Sequence, residues 1–129
     1  MRDPRPGLRW SGGRVQRRAQ YGGYMDSPEW FRRRERWVEQ YQAAHAGQEP
    51  ACVVCDAPWT LRSGDLHHRT YARLEAEAWQ DLIPMCRDHH ATLHAVMERN
   101  PAWRKIPREQ ATDLIVAYLR SKIATGSDR

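Results

Sequence analysis

Apolar residues fall into two helical stripes separated by a centre without helical period. Trp30, Phe31, Trp37, Val38 and Tyr41 recur at three- and four-residue steps, which predicts an amphipathic helix. Ser27-Pro28-Glu29 supplies its start, with Ser as N-cap, Pro in the first position and Glu in the first turn; Gly47 marks its end. Ala111, Leu114, Ile115, Tyr118 and Leu119 make a second stripe, predicting a helix from near Pro107 to about Ile123. Between them, Leu66 to Tyr71 and Leu82 to Met85 read as short extended pieces. Asp88 is placed to cap a helix from about His89 to Glu98, stopped by Asn100-Pro101. Residues 1–26 carry Arg, Gly and Pro without period and are expected to be loosely ordered, with Trp10 and Tyr21 free to dock or to stack on a base. The pattern divides the chain into an arm (1–26), a central domain with its leading helix (27–106) and a C-terminal helix and tail (107–129).

Charge sharpens this division. Residues 1–27 carry six Arg against two Asp, residues 47–99 five Arg against eight acids, and residues 100–129 six basic against three acidic groups. Basic flanks around an acidic, histidine-rich centre favour a nucleic-acid partner, DNA or RNA. Arg32, Arg33 and Arg36 on the first helix are candidate phosphate contacts, with Arg69 and Arg87 nearer the centre. The longest apolar run, Leu114 to Leu119, is far too short to span a bilayer, so no membrane partner is expected. No secretory signal is visible at the start, and a cytoplasmic monomer or weak dimer is the expectation. Mean hydropathy is −0.88, yet the chain has six Trp and five Tyr, which predicts a small aromatic core; Trp59, Trp79 and Trp103 read as core first and partner contacts second.

The centre holds the chemistry. Three cysteines without a secretion signal argue for metal rather than a disulfide. Cys52-x2-Cys55 and Cys86-x2-His89 complete a closed Cys3His set for a structural zinc. His90 and His94 are four apart and share a helix face, which leaves His89 to the cysteines. His90, His94 and one of the tandem pair His67-His68 would make a three-ligand site with open positions. The other tandem histidine stays a free imidazole able to take a proton from water. In a regular strand the two would point to opposite faces, so a twist, bulge or strand end is expected there.

Together, Tyr24-Met25-Asp26-Ser27-Pro28-Glu29-Trp30, Cys52-x2-Cys55, Leu66-His67-His68-x-Thr70-Tyr71, Asp81-Leu82 before Cys86, and His90-x3-His94 resemble the HNH endonucleases of the ββα-metal superfamily, over roughly residues 24–98. The resemblance implies an α+β fold: a β-hairpin carrying His67 and His68, then a helix carrying His90 and His94, with a zinc knuckle and flanking helices. It implies a metal-dependent DNA endonuclease that nicks or cuts both strands. His67, His90 and His94 would hold the catalytic divalent ion (Mg, Mn, Ni or Zn), and His68 would be the general base. Asp81 stands where the family's middle Asn orients that base, and His89 where a fourth cysteine is more usual. Small proteins resembling this one occur in phage, mobile-element and bacterial settings. The alternative is a zinc-stapled nucleic-acid-binding module without catalysis.

Overall fold

The computed structural model describes residues 19–126; the expectations for residues 1–18, Trp10 included, lie outside it. The fold is α+β: helix α1 over residues 19–25, α2 (Pro28–Ala44), strands β1 (Gly64–His68) and β2 (Leu82–Cys86), α3 (Arg87–Arg99) and α4 (Arg108–Ala124). Short 3-10 turns, Trp79–Asp81 and Pro101–Lys105, precede β2 and α4.

The centre of the fold is a two-stranded antiparallel hairpin whose register runs unbroken from Gly64 opposite Cys86 to His68 opposite Leu82. Two strands alone do not make a stable sheet, and here both faces are covered. Leu66 and Leu82 point into a cluster with Tyr24, Trp30, Trp37 and Trp59. Ile83 and Met85 point the other way, into a cluster with Cys52, Val54, Leu93, Ile115 and Leu119. The period-two alternation of a strand therefore feeds two separate cores. Gly64 permits the close approach of Trp59: a Cβ at that position would overlap the indole ring, whose Nε1–H donates to the Asp65 carbonyl at 2.7 Å.

Several expectations change here. Residues 19–25, expected to be loose, are helical, because Tyr21 and Tyr24 find aromatic partners in the domain. Ser27 caps α2 as expected, accepting from the Trp30 N–H at 3.1 Å. Phe31, however, is 62% exposed and Arg33 is buried. Residue 33 lies three after Trp30 and four before Trp37, so it occupies the inner face of the helix. The cap of α3 is Cys86 rather than Asp88; its sulfur accepts from the His89 N–H at 3.4 Å. On α4 the buried stripe is Ala111, Thr112, Ile115 and Leu119, leaving Leu114 and Tyr118 exposed. Trp59 is core as expected, while Trp79 and Trp103 are half-buried against the two clusters. No described helix is long and apolar enough to cross a membrane.

Candidate metal centres and the histidine pair

Cys52, Cys55, Cys86 and His89 bring their ligand atoms within 4.8 Å of one another and could hold a metal ion. The cysteines form no disulfide. The Cys55 and Cys86 sulfurs are 4.0 Å apart, and the Cys86 sulfur is 3.4 Å from His89 Nδ1. A tetrahedral ion with Zn–S bonds near 2.3 Å separates two sulfurs by roughly 3.8 Å, so the spacing suits a structural zinc. Backbone geometry supports thiolate ligands. The Val54 N–H points at the Cys52 sulfur and the His89 N–H at the Cys86 sulfur, both at 3.4 Å. Burial works against ionisation of Cys52, yet the backbone N–H groups of Cys86, Cys55 and Val54 outweigh it and hold its thiol below the ordinary value. Burial pushes Cys86 up to about 11.

His67, His90 and His94 form a second group, with ligand atoms again within 4.8 Å of one another. Each comes from a regular element. His67 is the fourth residue of β1, and His90 and His94 sit one turn apart on α3. His90 Nδ1 is 2.9 Å from the Asp65 carboxylate, while its Nε2 lies 3.0 Å from His94 Nε2. A carboxylate on one ring nitrogen fixes the tautomer that leaves the other a lone pair. His67 Nε2 meets the Thr112 hydroxyl at 3.0 Å, and its Nδ1 is buried without a partner. Burial first, then the Arg108 charge and the neighbouring histidines, hold His67 far below the usual imidazole range. Burial, His90 and Arg108 take His94 down to about 4. Three imidazoles thus bring ligand nitrogens together at one place, as a metal requires.

The expected twist or bulge is absent: the register is regular to the strand end, and His68 faces the opposite side of the hairpin from His67. His68 is the last residue of β1, and its ring enters the α2 side of the hairpin. Trp30 stacks on it at 5.1 Å between ring centroids, with Tyr21 and Tyr71 at 5.7 and 5.6 Å. Nε2 lies 2.8 Å from Glu77 Oε2, and Nδ1 is buried without a partner. Glu77 also accepts from the Tyr24 hydroxyl at 2.9 Å. Arg33 donates to the Glu77 carbonyl at 3.1 Å and stands 3.8 Å from its carboxylate. That distance is a Coulombic contact rather than a hydrogen bond, so Arg33 Nε and Nη1 remain without hydrogen-bond partners. Burial opposes the Glu77 charge, but its bonds to His68, to its own backbone and to Tyr24 hold the carboxyl below its ordinary value.

The expected orienting group is elsewhere. Asp81 takes a two-pronged contact from Arg73, at 2.6 and 2.7 Å, and accepts from the Ala78 N–H at 2.9 Å. The Arg73 bond, ahead of the opposing effect of burial, lowers its carboxyl. Asp81 thus shapes the turn that leads into β2, and Glu77 is the carboxylate on His68. The candidate phosphate contacts divide similarly. Arg33 is inside the fold. Arg69 is bound to Asp113 at 2.7 and 3.2 Å. Arg87 donates to the Arg62 carbonyl at 3.0 Å and lies 3.6 Å from Asp65. Arg32 is exposed beside Glu29, and Arg36 is exposed.

Among known proteins, no family model, curated protein or solved structure matches this chain.

Proposed function

We propose that the protein is a metal-dependent endonuclease of the HNH kind, acting on DNA. The observation that carries this reading is the pair of buried, unpartnered Nδ1 atoms on His67 and His68. Folded proteins leave few buried polar atoms unpaired, and those that remain point to an absent ligand or a catalytic role. In both residues the other ring nitrogen is tied off, by Thr112 and by Glu77. Consecutive residues of one strand end thereby offer one free nitrogen to each side.

His67, His90 and His94 would hold the divalent ion. When bound there, it supplies Lewis acidity to the scissile phosphate and its leaving oxygen. His68 does the proton work. Its Nε2–H donates to Glu77, so Nδ1 carries the lone pair that accepts a proton from water. Glu77 then faces the imidazolium that forms, and its charge stabilises it, as a buried carboxylate does for a catalytic histidine. Cys52, Cys55, Cys86 and His89 would hold a zinc that ties the segment before β1 to the start of α3. The angle between hairpin and helix, and with it the distance from His67 to His90, depends on that tie. Exposed Arg32, Arg36 and Arg87 would hold the DNA backbone.

Two observations favour the second reading, a nucleic-acid-binding module without catalysis: His68 faces away from the side of the hairpin that carries His67, His90 and His94, and its ring is enclosed. The His68 side chain is wholly enclosed, so water reaches Nδ1 only if neighbouring side chains move. Cleavage of supercoiled plasmid by the purified protein, with Mg, Mn, Ni or Zn added in turn, separates the two. Nicking that depends on metal and stops with chelator supports the nuclease. Salt-sensitive binding without cleavage under any metal overturns it in favour of the binding module.

A further inference from the structure

Thr112 is out of place by composition. It lies on the inner stripe of α4 beside Ala111, Ile115 and Leu119, and it is 0% exposed. Valine has nearly its shape and would fill the position without a hydroxyl to satisfy. A buried hydroxyl needs a partner, and in a helix the usual one is the carbonyl one turn back. Here the hydroxyl instead reaches across to another element, to His67 Nε2 at 3.0 Å. The other nitrogen of that ring is the buried, unpartnered Nδ1.

We propose that Thr112 is a positioning residue for the histidine metal centre, its hydroxyl oxygen accepting a hydrogen bond from the His67 Nε2–H so that Nδ1 is presented as the ligand atom. The inference rests on the reading of His67, His90 and His94 as a metal site. It extends that site to α4, beyond the hairpin and α3. The same logic already operates at His90, where Asp65 occupies one ring nitrogen and leaves the other facing His94. Helix α4 is held firmly enough to aim a hydroxyl. Asp113, the next residue, binds Arg69 just past the end of β1, and Arg120 donates to the Val53 carbonyl in the cysteine knuckle at 2.5 Å. Metal bound at Nδ1 forces the His67 proton onto Nε2. Without Thr112 that N–H would be buried with no acceptor.

The test is a titration of zinc-loaded full-length protein with a second divalent ion, Co2+, read by calorimetry and by the absorption of the bound ion. The variants are Thr112→Val and Thr112→Ser. Removal of an outer partner of a ligating histidine weakens metal binding by about 10–100-fold. We expect that loss in Thr112→Val, near-wild-type affinity in Thr112→Ser, and retention of the first zinc in both. Equal Co2+ affinity in wild type and Thr112→Val would overturn the inference, as would an equal loss in the Ser variant. Failure of the wild type to bind a second ion would overturn the metal site itself, a distinct result.

Discussion

Replacing Glu77 with alanine tests the network that holds His68. The Glu77 side chain is fully enclosed and Arg33 is 3% exposed, so solvent screens neither charge. Alanine removes the acceptor for His68 Nε2 and for the Tyr24 hydroxyl, and leaves the Arg33 guanidinium buried without its counter-charge. Breaking a buried pair by removing one partner costs about 3–5 kcal/mol, against a total stability of roughly 5–15 kcal/mol for a domain. Glu77→Gln keeps the volume and an acceptor for His68 but removes the charge, and a loss of about 1–3 kcal/mol is expected. Urea unfolding of the zinc-loaded protein measures both. The catalytic order follows from the same geometry: Glu77→Gln slows plasmid cleavage, but less than loss of His68 itself. An Ala variant within about 0.5 kcal/mol of wild type, the size of an ordinary surface substitution, would refute the assignment of Glu77 as a buried, charge-bearing partner.

Three further outcomes follow. Cys55→Ala should lose zinc and unfold at neutral pH, since structural zinc contributes about 10–16 kcal/mol of apparent binding energy in small domains; a stable, zinc-replete variant would remove the site. Gly64→Ala should lower the melting midpoint through about 1–3 kcal/mol of overpacking against Trp59, and an unchanged midpoint would contradict the contact. Stability should also fall in mild acid, before a second metal is added. His67 is held below the usual imidazole range and His94 at about 4, so the unfolded chain takes up protons that the folded one refuses. Their contribution is therefore present above about pH 6.5 and lost as pH falls toward 4, with a slope of up to about 1.4 kcal/mol per pH unit for each imidazole. His94→Asn should reduce the slope by one such increment, and an unaltered slope would show that His94 is not held neutral.

Both candidate metal groups were partly legible in the chain, because the spacing within each ligand pair is local, while the choice of His67 from the tandem pair came from the resemblance. Cys52 with Cys55, Cys86 with His89 and His90 with His94 are each set within a single turn or knuckle, and the structure brings them into the two expected groups. The partners that tune them were not legible. Glu77, Asp65 and Thr112 reach His68, His90 and His67 across 9, 25 and 45 residues of chain, and no local period marks such pairs. A signal for Thr112 did exist, as a hydroxyl inside an apolar stripe, but the stripe itself was misplaced. Exposed Leu114 and Tyr118 look as apolar in sequence as buried Ile115 and Leu119. Arg33 misled for the converse reason. A charged residue on an inner helix face can be recognised only once its buried partner is known. Asp81 was expected on the base histidine by analogy of position, but Arg73, eight residues earlier, claims both of its oxygens.

The proposed function stands or falls on His68 as the proton acceptor for phosphodiester hydrolysis. Its most direct test is the rate of plasmid cleavage by His68→Gln against wild type, at saturating metal and with the zinc content of both measured. Glutamine can still donate to Glu77 but takes no proton. A loss of roughly 10²–10⁴-fold is expected, the scale of a general base, with zinc content and fold unchanged. Cleavage by the His68→Gln protein at the wild-type rate would contradict it.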